Sequence, residues 1–575
     1  MIILLSLMIQ ISQAETLTHI IDQYTENAKR VDAFMAPYYN VEENLSKFGD
    51  FPSPEFFKRK KELYVTALEK LNHLKKDTLS HDDRKTYDIF KEDMEVSLDQ
   101  LSYPNEYLSF NQMDNRLHSY LDDSSKELTQ FPFDSVKHYN DFIKRSEGFP
   151  AFVDNQIELF KKGVKAGITL NCPSAKATVN TYQDGLESNI EKNPFYRPVT
   201  FMPESFNTSD KEQLKADFKK MIIERIIPGF KKFDHFFKKS YLPHCRKSYG
   251  LKGLPHARKW YSSRILSNTN LHLTAEEIHK TGLREVARIS KGIEEIKNKF
   301  GFKGNLKAFL KSLTSDDKYV FKSAKEMFEA FELTKSLIAA KVPQYFSKKP
   351  KTDYKLVETS NPEDAAGSYF EPTENIPMGR FIVNTKNLHN VPIYEVTTLL
   401  VHEATPGHHF QLALQFEMKS ELSEYRRKLF GSNAFVEGWA LYSEYLGNEM
   451  GLFNDPMQKL GNLNDEMLRA VRLVVDTGIH HYGWSREKTI AYMDEHLATG
   501  KKDISNEANR YSIWPGQALG YKIGQLKIIE LRKMAESKLG SKFDIKDFHS
   551  VVIGEGTLSL NILELRVKDW VKSKL

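Results

Sequence analysis

Apolar residues recur every three or four positions through most of the chain, which is the spacing of helices that bury one face. Ser80 stands where the N-cap of such a helix is needed, with Asp83 three residues later. The buried face of this helix is predicted to consist of Tyr87, Phe90, Met94, Leu98 and Leu101. Further helices are expected from residue 15 to about residue 250, separated where Pro and Asn cluster. The pattern therefore predicts a mainly α fold.

Another long helix is predicted to begin after Thr274, because Thr274 and Glu277 have the spacing of a capping box. We interpret His279 on this helix as structural. The inward positions are expected to be Ile278, Gly282, Val286, Ile289, Ile293, Ile296 and Phe300.

The hydrophobic period changes after residue 353. Residues 354–358 and 381–385 are rich in β-branched and aromatic side chains, and residues 367–370 precede a turn rich in Pro, Asn and Gly. We predict a small antiparallel sheet here, directly before the next helix.

Composition indicates a large globular protein. The 575 residues are 40% hydrophobic and 12% aromatic, enough for a substantial core and roughly two to four domains. The net charge of +5 is spread over short clusters, which argues against a nucleic-acid partner.

Residues 1–14 have the apolar core and small C-terminal residues of a signal peptide, although they lack a basic residue near Met1. An apolar N-terminal helix is the alternative. No later stretch is apolar enough to span a membrane, so we expect a secreted or periplasmic protein without stable membrane insertion after signal removal. No cysteine lies near residue 14, which argues against a lipid anchor.

The predicted organisation has three parts: a signal peptide (1–14), an N-terminal helical region (15–270) and a catalytic region (271–575). The last two are expected to form one continuous unit around a cleft. Cys172 and Cys245 are the two cysteines, and their redox state stays open.

The chemistry of the chain centres on residues 401–409, which read Val-His-Glu-Ala-Thr-Pro-Gly-His-His. The residues on both sides suit helices. Zinc peptidases with a His-Glu-x-x-His motif place two histidines on one helix face, with the Glu acting on a water molecule. Here Pro406 occupies the fifth position, so Pro406 and Gly407 should break the helix inside the motif. Such a break can bring His408 to the place of the second histidine.

His409 is the alternative ligand, because it lies on the face of His402 in a straight helix. It would then be about 10 Å along that helix, too far to share one metal ion. We therefore favour His408. Glu437, among apolar residues of a predicted second helix, is the proposed third ligand of one Zn²⁺ per chain. Glu444, one heptad later, is expected to hold a ligand histidine. A His-Glu pair also occurs by chance in long chains, and the strict motif fails here.

These residues resemble a known family. The two segments 402–411 and 437–444 are similar to the bacterial family called domain of unknown function 885, which is grouped with gluzincin-type zinc peptidases. Residues 472–480 and 510–524 match later blocks of this family, and residues 273–279 and 163–167 match earlier, weaker ones. The resemblance implies a mostly helical metallopeptidase-like fold. It also implies His402, His408 and Glu437 as ligands and Glu403 as the general base. It does not supply a substrate.

Other residues are candidates for substrate contacts. His480 and Tyr511 are candidates to stabilise the oxyanion of a tetrahedral intermediate. Arg510 and Lys522 are candidates to bind a substrate carboxylate, as a carboxypeptidase requires. An edge strand of the predicted sheet could pair with an extended peptide, which makes Asn384 a further binding candidate. A hairpin that only covers the helices is equally compatible with the pattern.

The sequence thus predicts a zinc-dependent peptidase that acts on a peptide or small amide, with Glu403 as general base. Two alternatives stay open: a metal hydrolase of a non-peptide amide or ester, and a non-catalytic binding protein with a zinc site. The sequence does not distinguish endopeptidase from exopeptidase action, and it does not indicate an oligomeric state.

Overall fold

The computed structural model describes residues 16–125, 129–359, 366–374 and 376–575. The predicted signal peptide, residues 1–14, lies outside the described residues. Within these ranges, no helix combines the length and apolar character needed to cross a bilayer.

Helices dominate the structure, which confirms the predicted mainly α fold. Those of the first half are α1 (Leu17–Val31), α2 (Ala36–Tyr39), α3 (Pro54–Asn72), α4 (His81–Gln100), α5 (Arg116–Ser125), α6 (Val136–Arg145), α7 (Phe149–Ala166), α8 (Cys172–Asn180), α9 (Thr208–Met221), α10 (Ile227–Phe236), α11 (Ala257–Thr269) and α12 (Ala275–Lys299). Those of the second half are α13 (Leu306–Ser315), α14 (Ala324–Ala339), α15 (Val396–Glu403), α16 (His408–Glu417), α17 (Asn433–Glu449), α18 (Pro456–Thr477), α19 (Arg486–His496), α20 (Lys501–Ile513), α21 (Leu519–Leu539), α22 (Ile545–Ile553) and α23 (Leu560–Lys574).

Two helix starts follow the predicted capping. The Ser80 hydroxyl accepts from the Asp83 N–H at the start of α4, and Thr274 and Glu277 form the capping box of α12. The apolar face of α12 is buried from Ile278 to Ile296 as predicted, but Phe300 is 46% exposed. Phe300 is the C-cap residue of α12, so helical periodicity no longer directs its side chain inward.

The sheet contains β1 (Tyr354–Glu358), β2 (Gly367–Phe370) and β3 (Gly379–Val383) in the order β1-β3-β2. β2 pairs with β3 antiparallel, whereas β1 pairs with β3 parallel. The predicted small sheet is present, and its β2–β3 pair is antiparallel as predicted, but β1 makes the sheet mixed. β1 lies beside β3, which is not the next strand in the sequence, and runs in the same direction. Residue composition does not encode that choice.

The hydrophobic cores cross the predicted boundary at residue 270. One core cluster combines Leu17 and Phe90 with Trp439 and Leu473. Cys172 and Cys245, whose state the sequence left open, form a disulfide between α8 and the segment after α10.

Close helix packing sets the position of the candidate site. A Cβ added at Gly438 in α17 would lie 2.5 Å from the Cα of Gly524 in α21, so these two helices touch backbone to backbone. Helices α15 and α16 pack against the same α17. The side chains of α17 next to Gly438 therefore lie among α15, α16 and α21.

Candidate metal centre

The predicted helix break lies between α15 and α16. α15 ends at Glu403 and α16 begins at His408. The Pro406 carbonyl lies between the two helices. It accepts a hydrogen bond from the Trp439 indole N–H at 2.9 Å and another from the Ser443 hydroxyl at 3.3 Å. The break is thus anchored to α17, the helix that carries Glu437.

This break brings three possible ligands together. Nε2 of His402 lies 3.6 Å from Oε2 of Glu437, and Nε2 of His408 lies 3.4 Å from the same oxygen. One ligand atom from each residue can be chosen such that all lie within 4.8 Å of one another. Ligand atoms around a tetrahedral zinc ion are about 3.4 Å apart, given zinc–ligand distances of about 2.1 Å. The spacing therefore suits a single metal ion.

The chemistry of Glu437 also fits a cation. Its Oε2 is buried and has no hydrogen-bond partner within the described residues. A buried carboxylate oxygen without a partner is costly, and a metal ion removes that cost. Burial raises the pKa of Glu437, but the two histidines outweigh burial and hold this pKa well below its usual range. The Glu437 side chain is therefore anionic, as a metal ligand needs to be.

Glu444 supports His402 from behind. Its Oε1 lies 2.7 Å from Nδ1 of His402, which leaves Nε2 directed at Glu437 and His408. Arg469 lies 3.9 Å from the same carboxylate oxygen. Burial lowers the pKa of His402, but Glu437 and Glu444 outweigh burial and raise it to about 10. The local field thus favours positive charge, and this is the arrangement expected of a carboxylate that orients a ligand histidine.

His409 points elsewhere. Its Nδ1 lies 2.9 Å from the hydroxyl of Tyr369, and its ring lies 4.6 Å from that of Tyr354. Burial lowers its pKa to about 4. The structure therefore places His408, and not His409, beside His402 and Glu437.

Glu403 connects the cluster to the sheet. Its Oε2 accepts from the backbone N–H of Tyr369 at 3.0 Å. Tyr369 belongs to β2, an edge strand whose other side pairs with β3. The free edge of β2 consequently faces the residue that follows His402.

The chain is similar to proteins of a known family. A family model described as "Bacterial protein of unknown function (DUF885)" matches residues 34–567. The chain belongs to this family. No curated protein matches it.

Two solved structures share the fold. One is described as "the putative lipoprotein from Colwellia psychrerythraea"; identity is 26%, the TM-score is 0.89, and the match covers 98% of this chain and 99% of that one. The other is "a putative lipoprotein of unknown function from Shewanella oneidensis", at 17% identity and a TM-score of 0.71, covering 96% and 99%. The second similarity shows the fold alone. Neither description states an activity.

In this DUF885 chain, His480 does not have a free ring nitrogen. Its Nε2 lies 2.8 Å from the Tyr511 carbonyl oxygen, and its Nδ1 accepts from the Leu251 N–H at 3.1 Å. Burial lowers its pKa to about 3, so the ring is neutral. Both nitrogens serve backbone groups, and the expected role as an oxyanion donor is replaced by a structural one.

Tyr511 is also engaged. Its hydroxyl donates to Glu507 and accepts from Nε of Arg472 at 2.8 Å. Arg510 contacts the same Glu507 at 3.0 Å and Gln517 at 2.7 Å. These groups form a buried network that already balances the charge of Arg510, which makes it a weaker candidate for a substrate carboxylate than expected.

Lys522 and Asn384 have structural partners. The ammonium of Lys522 is fully buried and lies 2.7 Å from Glu466 and 3.0 Å from Glu285. The side-chain oxygen of Asn384 accepts from the N–H groups of Lys386 and Asn387 in the turn after β3. The expectation that Lys522 binds substrate was wrong, because two carboxylates neutralise it.

Tyr521 is a residue that the sequence reasoning missed. It lies one turn before Gly524 on α21, and Gly524 touches Gly438 beside Glu437. Burial raises the pKa of Tyr521, and the charge of Glu437 raises it further. Nη2 of Arg510 lies 3.3 Å from its hydroxyl oxygen. In the sequence, the three-residue spacing of Tyr521 and Gly524 on one helix face is the feature that could have indicated this position.

Proposed function

We propose that this protein is a zinc-dependent hydrolase and, more narrowly, a peptidase related to the gluzincin-type enzymes. The observation that carries the proposal is the convergence of His402, His408 and Glu437 on one point, with Glu403 beside them and hydrogen-bonded to an edge strand. A purely structural zinc site has no use for a carboxylate held in that position.

The ligands would be the three residues of the cluster, with Glu444 fixing the ring of His402. Zn²⁺ bound there supplies Lewis-acid activation of a water molecule and of the scissile carbonyl. Glu403 accepts the proton of the attacking water and passes it to the leaving amine. The Tyr369 N–H holds one oxygen of Glu403 and leaves the other for this proton transfer.

Tyr521 replaces His480 and Tyr511 as the candidate oxyanion donor. Tyr521 lies on α21, which contacts α17 at Gly438, and it is close enough to Glu437 for that charge to raise its pKa. A neutral phenol with a raised pKa keeps its proton and can donate a hydrogen bond to developing negative charge.

A peptide substrate is favoured because the free edge of β2 lies at Glu403. Main-chain groups of an extended peptide can pair with such an edge without a particular sequence. Hydrolysis of a non-peptide amide or ester needs the same metal ligands, so activity against a panel of substrates separates these possibilities.

We also propose that the protein is exported. The apolar segment 1–14 supports this, and so does the disulfide between Cys172 and Cys245, since disulfides persist in oxidising compartments. The two solved structures named above each carry the description "putative lipoprotein". A reporter fused after residue 40 that stays in the cytoplasm would contradict export.

The decisive experiment measures zinc per chain by elemental mass spectrometry on protein purified without a metal-affinity tag. We expect about one zinc in wild type and in His409→Ala, and none in His408→Ala. Glu403→Gln should keep the zinc and lose hydrolysis of a peptide panel. Folded wild type that takes up no zinc, or hydrolysis retained by Glu403→Gln, contradicts the mechanism. If wild type binds zinc but hydrolyses no substrate, the alternative of a non-catalytic binding protein is favoured.

A further inference from the structure

A cavity of about 320 Å³ lies beside the end of β2 and beside α16. Its volume is at the lower end of the range of small-ligand sites. Among its lining residues are Phe370, Glu371, Arg380, Leu412, Phe416 and Arg427. The cavity thus borders the sheet on one side and α16 on the other.

Arg380 is the unusual member of this lining. It lies on β3 opposite Phe370 of β2, is only 5% exposed, and its guanidinium carbon is 5.5 Å from the Phe370 ring centroid. Its Nε is buried and unpartnered, and no hydrogen bond or ion pair involves its guanidinium within the described residues. A buried charge without a partner is costly, so an unpaired guanidinium that lines a cavity indicates an anionic ligand.

The other charged groups leave a positive balance. Glu374 is paired with Lys419 at 2.9 Å, and Lys428 is paired with Glu424 at 3.2 Å. Arg427 makes no ion pair with any described residue, its Nε donating to the Leu422 carbonyl instead. Glu371 also lines the cavity, and burial raises its pKa, so this single carboxyl group is outnumbered by the two arginines. Arg380 and Arg427 are therefore the cations that a ligand inside the cavity would meet.

Residues that line the cavity are neighbours, on the same strand and helix, of residues of the proposed catalytic site. Phe370 directly follows Tyr369, whose N–H binds Glu403. On α16, Leu412 and Phe416 lie one and two turns beyond His408 on the same face, about 6 and 12 Å along the helix. A peptide laid along the edge of β2 would reach the cavity within a few residues of the reacting bond.

We propose that this cavity is a subsite for a carboxylate of the peptide substrate, held by the guanidinium of Arg380 with Arg427 nearby. The protein would then prefer peptides with an acidic side chain, or a free C-terminus, close to the cleaved bond. This inference rests on the proposed peptidase function and names its substrate class. Arg380 takes the role that the sequence led us to expect of Arg510 or Lys522.

The test measures binding instead of turnover, so that it does not depend on catalysis. Three fluorescent peptides of one length are compared by anisotropy on zinc-loaded Glu403→Gln protein: an amidated peptide with one Glu, its amidated Gln twin, and the Gln peptide with a free C-terminus. We expect at least one of the two carboxylate peptides to bind about 10-fold more tightly than the amidated Gln twin. The peptide that gains affinity identifies whether the carboxylate comes from a side chain or from the C-terminus.

Arg380→Gln, added to the same background, should abolish this difference, and Arg380→Lys should restore part of it. Arg284→Gln, an exposed arginine of α12 outside the cavity lining, is the matched control and should preserve the difference. If Arg380→Gln does not fold, the subsite is tested by Arg427→Gln, which should reduce the difference in affinity, and by the comparison of the three peptides. Equal affinity for all three peptides overturns the subsite, whether or not wild type cleaves peptides. A preference that depends on Arg380, in a protein that cleaves nothing, would sustain the subsite and reject the peptidase.

Discussion

Oε1 of Glu444 lies 2.7 Å from Nδ1 of His402, and this contact determines which ring nitrogen faces Glu437 and His408. Both side chains are almost fully buried, so water cannot substitute for either partner. The two residues come from α17 and α15, and their contact links the segment of His402 to the helix that carries Glu437, the proposed third ligand.

Glu444→Gln should therefore weaken zinc binding about 10- to 100-fold while the protein stays folded. The amide can still contact Nδ1 but no longer supplies the negative charge that raises the basicity of His402. Competition with a chelator of known zinc affinity measures the change. Glu449→Gln, at the end of the same helix and paired with Arg532, is the control. Unchanged zinc affinity in Glu444→Gln would show that the contact only packs the ring.

Gly407 allows the helix break to fold back on α15. A Cβ at this position would lie 1.9 Å from the carbonyl oxygen of His402 and 2.4 Å from that of Val401. Gly407→Ala should displace His408, remove the zinc and destabilise the protein by more than about 2 kcal/mol. Zinc analysis and urea unfolding measure the two effects. Gly431→Ala is the control, because nothing lies within 4 Å of its added Cβ. Normal zinc content in Gly407→Ala would refute this account of the turn.

Local signals explain what the sequence predicted correctly. Pro406 lacks the N–H that a helix interior requires and Gly407 is a poor helix former, so local chemistry accounts for the separation of α15 from α16. The capping residues Ser80 and Thr274 act within one turn of their helices. The choice of Glu437 rested on its apolar neighbours, which are a local feature of α17.

Long-range packing explains the errors. The two nitrogens of His480 are taken by Leu251 and Tyr511, which are 229 and 31 residues away. Lys522 looked available because its partners Glu285 and Glu466 lie on other helices. The direction of β1 depends in the same way on its pairing with β3, which is not its neighbour in the sequence. No pattern within a single segment contains this information.

Tyr521 and Tyr511 can be separated by matched substitutions. Tyr521→Phe should lower kcat at least about 100-fold with little change in KM or zinc content, because an oxyanion donor acts in the transition state. Tyr511→Phe should instead lower the free energy of unfolding by roughly 1–2 kcal/mol, since its hydroxyl joins Arg472 to Glu507. Steady-state kinetics and calorimetry on both variants provide the comparison. If Tyr511→Phe instead lowers kcat and Tyr521→Phe lowers only stability, Tyr511 is the better candidate for the oxyanion donor.

Two buried histidines remote from the ligands should make the protein sensitive to acid. Burial lowers the pKa of His480 and of His549 to about 3 in the folded protein, whereas the unfolded value is about 6.5. The unfolded state therefore binds protons more readily, so stability is complete above pH 6.5 and is lost as the pH falls from there toward 3. Each histidine should cost about 2 kcal/mol between pH 7 and pH 5.

His480→Gln tests this contribution by urea unfolding at pH 7 and pH 5. Glutamine does not titrate, so the variant should lose about 2 kcal/mol less than wild type over this range, even though its stability at pH 7 is lower because a backbone partner is lost. His19→Gln, an exposed residue of α1, should leave the difference between the two pH values as in wild type. If wild type and His480→Gln lose equal stability on acidification, the buried ring of His480 does not set the acid sensitivity, and other groups must carry it.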